Sequence, residues 1–330
     1  MRAAIVKEFG PITSHVLGEL PDPVPGAGEV LVTTKATAVN FVDSLVVTGK
    51  YQFLPQRPFA PGKLPAGVVT ALGEGVTGLK IGDRVLTLAE QGGYAQKVAI
   101  NASQCFKLPA TMGFGEAASM ALVYDTSWFA LRERARIKAG DSVLVLGSTG
   151  GVGLAAVQLA KAMGAKVFGG VSNAAKAPPV LAAGAEDFID LSAPNLRDSL
   201  REQVFAKNGG KGVDIVIDPI GGDAFDAALR ALAWRGRLVV VGFAAGRIPE
   251  VKVNYLMLKN IEVSGLQVSD YRKRMPEMMA ECMREIFSLY EAGKLKPAPF
   301  HTVPLEDFAI SLQAVVDRRA SGRIVLEPNP

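Results

Sequence analysis

Residues 143–165 read VLVLGSTGGVGLAAVQLAKAMGA. An apolar run, a glycine-rich turn and an amphipathic stretch follow one another without a break. Gly147, Gly150 and Gly153 recur at three-residue spacing, after a predicted strand over 142–146 and at the head of a predicted helix over 152–163. Such a chain must reverse sharply and let its main chain approach a pyrophosphate with no Cβ in the way. It must also aim the unpaired N–H groups of a helix start at an anion. A glycine triplet alone is a weak signal, but between a strand and a helix it predicts a dinucleotide turn. A tight strand–helix turn with no ligand would use the same residues.

Downstream the rhythm repeats. Apolar strands are expected over 166–170, 188–189, 213–218, 237–241 and 261–266, with helices over 196–207 and 224–234 and a shorter one running to residue 181. With the strand before the glycine turn these make six. Strands that are apolar throughout are buried on both faces, which means an α/β architecture with a doubly wound parallel sheet and helices on each side. Upstream, the chain reads instead as short β segments over 2–6, 29–37, 67–72 and 83–88, separated by clusters such as PDPVPGAGE and GEGVTGLKIGD. A helical stretch over 112–137 links the two regions. The tail holds a helix over 275–292 and then a strand, a helix and a strand, too little to fold alone. It is therefore expected to return to the N-terminal module. That gives a discontinuous domain, 1–122 and 267–330, around a dinucleotide-binding domain, 123–266.

The strand after the glycine turn settles which nucleotide is expected. A site for NAD places a carboxylate at the end of that strand to hold the ribose 2′-hydroxyl. Here the strand end reads FGGVSNAAK, and no Asp or Glu occurs between Asp141 and Glu186. Ser172, Asn173 and Lys176 stand there instead. Hydroxyl, amide and ammonium donors suit a 2′-phosphate that a carboxylate would repel, so NADPH is the expected cofactor. Lys176 could equally be a solvated lysine at a helix start.

Composition narrows the chemistry. The 330 residues are 49% hydrophobic and 21% charged, a globular profile, and the net charge of +4 comes without a basic block of the kind nucleic acid attracts. Two cysteines, Cys105 and Cys282, cannot build a disulfide framework, and with two histidines, His15 and His301, they make a zinc site hard to assemble. His301 lies between strand-like residues and reads as structural. No apolar run reaches the length of a membrane span, and a soluble cytoplasmic protein is expected. There is no Gly-x-Ser-x-Gly elbow and no assignable triad, so catalysis is expected to rest on a cofactor that the protein orients.

The segments AVNFVDSLVVTGKY, GVTGLKIGDRV, GGYAQKVAI, the glycine turn, DPIGG, GFAAGRIPEVKVNYLMLKNIEVSG and RASGRIVL occur in an order that resembles the medium-chain dehydrogenase/reductase superfamily. The chain is most similar to its zinc-free quinone oxidoreductase branch, the ζ-crystallin type. The likeness spans nearly the whole length. It implies a GroES-like β-rich domain built from both chain ends and a Rossmann domain with a six-stranded parallel sheet, with the active site in a cleft. Zinc-dependent relatives carry a ligand cysteine near Asn40 and a GHE motif near Gly62. Here those stretches read NFVD and PGKLPAG, so no metal ligands are expected.

Position by position, the resemblance implies that Asn40, Tyr51 and Thr126 carry the catalytic site and that Asn40, Asp43 and Thr126 lie beside the nicotinamide. Gly150, Gly151, Val152 and Gly153 would contact the pyrophosphate, and Ser172 and Lys176 the 2′-phosphate. Gly242, Phe243 and Ala244 would line the nicotinamide side with Leu266 and Gln267 nearby, and Arg318 would lie near the cofactor phosphate. Plainer roles exist for three of them: Tyr51 as a packing residue, Thr126 bonding its own helix, Asp43 as a helix cap. The chain also departs from the family pattern. Leu64 replaces a glutamate, IDLSAP with Asp190 replaces a tyrosine after the third strand, Pro178 and Pro179 shorten a helix, and GLQVSDY lacks a Gly-Trp-Gly-like ending.

The expected function is NADPH-dependent reduction of quinones or related α,β-unsaturated carbonyl compounds by hydride transfer without a metal. An enoyl-thioester reductase and a non-catalytic NADPH-binding or RNA-binding protein are the alternatives. The expected partners are a small-molecule quinone or enone and a second copy of the chain, paired through the edge strand 261–266. Neither nucleic acid nor membrane is expected.

Overall fold

The structure is a computed structural model describing residues 1–329. The chain divides into two compact units, Met1–Leu122 with Tyr271–Phe287 and Pro297–Pro330, and Val123–Asp270 with Ser288–Lys296.

The first unit is β-rich. Strands β1 (Arg2–Ile5) and β2 (Val16–Glu19) form an antiparallel pair, followed by β3 (Glu29–Ala38), β4 (Ala66–Leu72), β5 (Arg84–Thr87), β6 (Lys97–Asn101) and β7 (Cys105–Lys107). Every second residue of β3 from Val30 to Ala36 is buried, the period of a strand with one face on a core. Val30 and Val32 pack with Val69, Val85, Val98 and Ile100, each side chain contributing roughly 1.5–3 kcal/mol by leaving water. A short helix, α1 (Phe41–Val47), follows β3 in this β-rich region, at the place where a helix cap was one of the roles open to Asp43. The second half of α2 (Phe114–Phe129) belongs to the other unit.

In that unit β8 (Ser142–Val145), β9 (Lys166–Val171), β10 (Asp187–Asp190), β11 (Val213–Asp218), β12 (Leu232–Val240) and β13 (Glu262–Gly265) form one sheet in the order β10-β9-β8-β11-β12-β13, every pair parallel. The chain starts at the centre, builds outward through β9 and β10, then returns to the other side of β8. This is the doubly wound order, with its switch point between β8 and β9 on one side and β11 on the other. All four residues of β8 are buried, as a central strand covered on both faces requires. Helices α3 (Gly151–Ala162), α4 (Ala177–Ala182), α5 (Leu196–Lys207), α6 (Gly222–Ala231) and α7 (Val253–Lys259) are the crossovers and edge cover, and Leu144, Phe168, Val216, Phe225 and Leu238 fill the core.

Periodicity alone carries the helix that begins at residue 224 on to residue 234, and the structure corrects this. The helix α6 ends at Ala231, because Leu232 is extended (φ −60°, ψ 142°) and pairs with Val213. Arg235 at φ 63° then bends the strand before regular pairing resumes at Arg237. The long-range ladder overrides a local helical pattern.

The chain returns to the first unit through α8 (Val268–Arg274) and α9 (Pro276–Glu291), then β14 (Phe300–Pro304), α10 (Phe308–Val316) and β15 (Arg323–Glu327). Strand β15 pairs antiparallel with β3 through Val325↔Ala38 and Leu326↔Thr37, so both chain ends share one sheet. Ser288–Lys296, read from the sequence as part of this return, is grouped with the second unit. Its last residue is held there: Lys296 donates its N–H to Gln158 Oε1 at 2.8 Å, and its carbonyl accepts from Gln158 Nε2 and the Tyr124 hydroxyl, both at 3.0 Å. No helix of the described residues is long and apolar enough to cross a membrane.

Candidate functional site

In the second unit the glycines take three distinct jobs. Gly147 turns the chain at φ +58°, where a side chain is strained. Gly150 precedes α3 in an extended conformation, and a Cβ built on it would meet only the Gly147 carbonyl oxygen, at 3.4 Å. A Cβ on Gly153 would lie 2.3 Å from that oxygen and 2.7 Å from Ser148 Cα, so this glycine lets the helix lie against the turn. Leu154 is the first residue of α3 whose N–H finds a helical acceptor, the Gly150 carbonyl at 2.8 Å. The N–H groups of Gly151, Val152 and Gly153 therefore lie in the first turn, where a helix supplies no acceptor and the dipole favours an anion. Buried Ser148 ties the turn to the next strand, with its N–H and hydroxyl both donating to the Gly170 carbonyl.

At the end of β9, Ser172 and Lys176 converge, with Lys176 Nζ 3.4 Å from Ser172 Oγ, both residues exposed. Asn173 caps the intervening turn by accepting the Ala175 N–H at 2.8 Å. Asp190, opposite Val171 on β10, has its Oδ1 bound to the Ser192 hydroxyl at 2.6 Å and N–H at 2.9 Å. The Ser192 hydroxyl, then its N–H, hold that carboxyl below the usual range.

Gly242, Phe243 and Ala244 follow β12, with Ala244 N–H donating to the Pro219 carbonyl at 3.3 Å, and Leu266 follows β13, donating to the Val240 carbonyl at 3.0 Å. Gln267 comes next. Because β8, β9, β12 and β13 are parallel, the glycine turn, Ser172–Lys176, Gly242–Ala244 and Leu266 all lie along one edge of the sheet, at its carboxyl ends. Thr126 sits near the C-terminal end of α2, 7% exposed, with its hydroxyl donating to Asp125 Oδ1 at 3.3 Å. Its neighbour Ser127 reaches the Val152 carbonyl at 2.9 Å, which brings this part of α2 against the first turn of α3. Ser127 was not singled out from the sequence, since nothing distinguishes it from other helical serines.

In the first unit, Asn40 and Asp43 are both buried at the start of α1. Asp43 accepts the Asn40 N–H at 2.9 Å and the Tyr94 hydroxyl at 2.8 Å. Asn40 Nδ2 donates to the Ala38 carbonyl at 3.0 Å and its Oδ1 accepts from Arg323 Nη2 at 2.7 Å. Both ends of the amide are thus engaged, and the pair joins the start of α1 to β15. Tyr51 packs edge-on to Phe53 with centroids 6.3 Å apart, and the Lys63 ammonium lies 5.3 Å from its ring centroid. Arg318 follows α10, exposed and left-handed at φ 57°.

Burial pushes the Asp43 carboxyl up to about 6, against the Asn40 N–H and Tyr94 hydroxyl bonds that pull it down. The folded state therefore holds this proton where the unfolded chain, near 3.8, has released it. The resulting stability is fully present below the unfolded value and is lost as pH rises through about 6. Asp43→Asn removes that slope. Denaturant unfolding at pH 4 and pH 7 should show the wild type losing on the order of 3 kcal/mol more than the variant across this window. Equal losses would mean that Asp43 is not the group that titrates.

Three comparisons with known proteins bear on this geometry. The family described as "Alcohol dehydrogenase GroES-like domain" matches residues 26–127 and the family "Zinc-binding dehydrogenase" residues 151–284. The human quinone oxidoreductase is 33% identical over 99% of this chain and 97% of its own, and the rat quinone oxidoreductase-like protein 2 is 33% identical over 98% and 91%. Among solved structures, the Escherichia coli quinone oxidoreductase complexed with NADPH superposes with a TM-score of 0.90 at 31% identity, covering 99% of this chain and all of that one. A mycobacterial quinone oxidoreductase gives 0.90 at 32%, with the same coverage. The chain belongs to the quinone oxidoreductases of the medium-chain dehydrogenase/reductase superfamily.

As a quinone oxidoreductase by family, the protein has a further charged group that its sequence barely advertised. Lys63, Glu90 and Arg272 meet in the first unit: Lys63 Nζ contacts Glu90 Oε2, and Arg272 Nη1 lies 2.6 Å from Glu90 Oε1. The signal available was one lysine in PGKLPAG, a stretch read only for its missing GHE motif and for Leu64 in place of a glutamate. Its partners lie too far along the chain for spacing to reveal them.

Proposed function

We propose that this protein binds NADPH along the carboxyl edge of the parallel sheet and reduces quinones or related conjugated carbonyl compounds by hydride transfer, without a metal ion. One observation carries the reading. An open, Cβ-free approach at Gly150 and a first helical turn of free donors stand beside a strand end bearing Ser172 and Lys176 and no carboxylate. A pyrophosphate fits the first feature and a 2′-phosphate the second. That the E. coli relative was solved as an NADPH complex, as was a mycobacterial one, supports the same assignment. When bound, NADPH supplies the hydride. The residues of this chain hold its phosphates, keep the helix start aimed at them and line the sheet edge with Gly242–Ala244 and Leu266.

The donor set supports metal-independent chemistry. Asn40 is committed to Ala38 and Arg323, and among the described residues no three His, Cys, Asp or Glu side chains gather as ligands could. A conjugated carbonyl spreads arriving charge over its π system and so asks less of a Lewis acid than an alkoxide does. Purified protein is expected to oxidise NADPH when para-benzoquinone or phenanthrenequinone is added. Unchanged NADPH absorbance across a broad panel of quinones and enones would overturn the reading.

We further infer a homodimer through β13. This strand is an edge of the sheet, and since Leu266 N–H faces β12, those of Val263 and Gly265 face outward. Just before it in the chain, α7 exposes Val253, Met257 and Leu258, which are 76%, 72% and 69% accessible. Light scattering should return twice the mass of one chain, and a single-chain mass at micromolar concentration would refute the pairing.

A further inference from the structure

We propose that Asp190 selects the base of the dinucleotide: its free carboxylate oxygen accepts the exocyclic amino group of adenine and turns away a base that carries a carbonyl there. The assignment rests on NADPH lying along the carboxyl edge of the sheet, as proposed above.

The order of the strands places the base. A dinucleotide is a linear molecule, with the nicotinamide at one end, the pyrophosphate in the middle and the second ribose with its adenine at the other end. In the sheet order β10-β9-β8-β11-β12-β13, the turn that suits a pyrophosphate follows β8, and the 2′-phosphate donors Ser172 and Lys176 follow β9. Gly242–Ala244 and Leu266, assigned to the nicotinamide half, follow β12 and β13 on the other side of β8. Going from the pyrophosphate to the ribose that bears the 2′-phosphate therefore moves one strand outward. The next step outward carries the adenine to β10, the last strand on that side. Neighbouring strands lie about 4.8 Å apart, a step that a ribose and its base can cover.

The two strand ends are level. Asp190 pairs with Val171, the residue before Ser172, and the Leu191 N–H continues the ladder by donating to the Val171 carbonyl at 2.8 Å. Asp190 is thus the last residue of β10, on the edge where the base arrives. Lying one strand out from Ser172, its carboxylate meets the base rather than the 2′-phosphate.

The residue is fixed on two sides. Asp190 N–H donates to Gln203 Oε1 at 2.8 Å, and the Asp190 carbonyl accepts from Gln203 Nε2 at 3.0 Å, so one side chain of α5 clamps both backbone groups. In the carboxyl, Oδ1 takes both Ser192 donors, the hydroxyl and the N–H, and Oδ2 has no partner among the described residues. No cation accompanies the group. The Ser192 hydroxyl, then its N–H, hold it below the usual carboxylate range, and it is ionised at neutral pH.

An ionised carboxylate only accepts hydrogen bonds. Adenine presents an amino group, a donor, at the ring position where hypoxanthine and guanine carry a carbonyl oxygen. Against those bases two acceptors would face each other. Because Gln203 and Ser192 already hold the carboxyl in place, little ordering is left for the cofactor to supply.

The test measures binding by fluorescence titration, with no quinone present, for NADPH and for its deamino analogue, in which hypoxanthine replaces adenine. Wild type should bind NADPH about tenfold more tightly, the size of a charged hydrogen bond weakened by solvent. Asp190→Ala should abolish the preference by weakening NADPH alone. Asp190→Asn is the sharper change. The two Ser192 donors still need an acceptor, so they keep the amide oxygen and leave the NH₂ group to the base. That variant should prefer the deamino analogue, a reversal that a merely structural role would not produce. The ratio of NADPH to NADH affinity should keep its wild-type value in both variants, since the 2′-phosphate is not touched.

A wild type that binds both cofactors equally overturns the proposal, and so does an Asn variant that keeps the wild-type preference, however much affinity it loses. If removing the charge tightens NADPH and its analogue alike and leaves NADH unchanged, the carboxylate acts on the 2′-phosphate and the proposal fails. Protein that binds no NADPH would refute the cofactor assignment and this one with it. Tight NADPH binding without a base preference refutes the role of Asp190 alone.

Discussion

Gly153→Val should cost about 3 kcal/mol or more of stability and abolish measurable NADPH binding, whereas Gly150→Ala should cost under about 1 kcal/mol and weaken NADPH alone. The two glycines sit three residues apart and differ in what a Cβ would meet. At Gly153 it would lie 2.3 Å from the Gly147 carbonyl oxygen and 2.8 Å from its carbon, both backbone atoms of a turn that is itself pinned to β9 through Ser148 and Gly170. Neither side can yield, so α3 must lift from the sheet and carry its first-turn donors away. At Gly150 the only neighbour is 3.4 Å away, an ordinary contact, and an added methyl obstructs nothing but the approach of a phosphate. Urea denaturation and fluorescence titration with NADPH measure the two effects separately. Equal destabilisation by both changes would refute the division of labour.

Lys176→Glu is expected to lower kcat/KM for NADPH by about 100-fold while leaving NADH within about twofold. Lys176 stands within 3.4 Å of Ser172 at the end of β9 with no carboxylate on that strand end. The substitution removes an attraction to the 2′-phosphate and adds a repulsion. Both residues are exposed, so solvent screens the interaction, and the loss should shrink as salt rises. Ser172→Ala should act in the same direction but less. A variant that treats NADPH and NADH as the wild type does would show that the 2′-phosphate lies elsewhere.

These two expectations draw on features that were readable before any coordinates. Three glycines at fixed spacing between an apolar strand and an amphipathic helix demand a tight turn, and a strand end with Ser172 and Lys176 but no acid states its own electrostatics. The remaining assignments behave differently. Asn40 and Asp43 were nominated by their place in NFVD, yet their hydrogen bonds go to Ala38, Tyr94 and Arg323, the last 283 residues away. Those bonds brace the start of α1. The helix carried to residue 234 by its pattern stops at Ala231 because Leu232 finds Val213.

The amino-acid sequence by itself determined the parallel α/β unit, its glycine turn and the sign of charge at the second strand end. Backbone conformation and strand burial answer to neighbours within a few residues. Only the tertiary structure decided that Lys63 and Arg272 share Glu90, with Arg272 182 residues from it along the chain. It also decided that Asp43 is sealed from water. Electrostatic energy depends on distance in space and on burial, and a chain's order of residues specifies neither until it has folded.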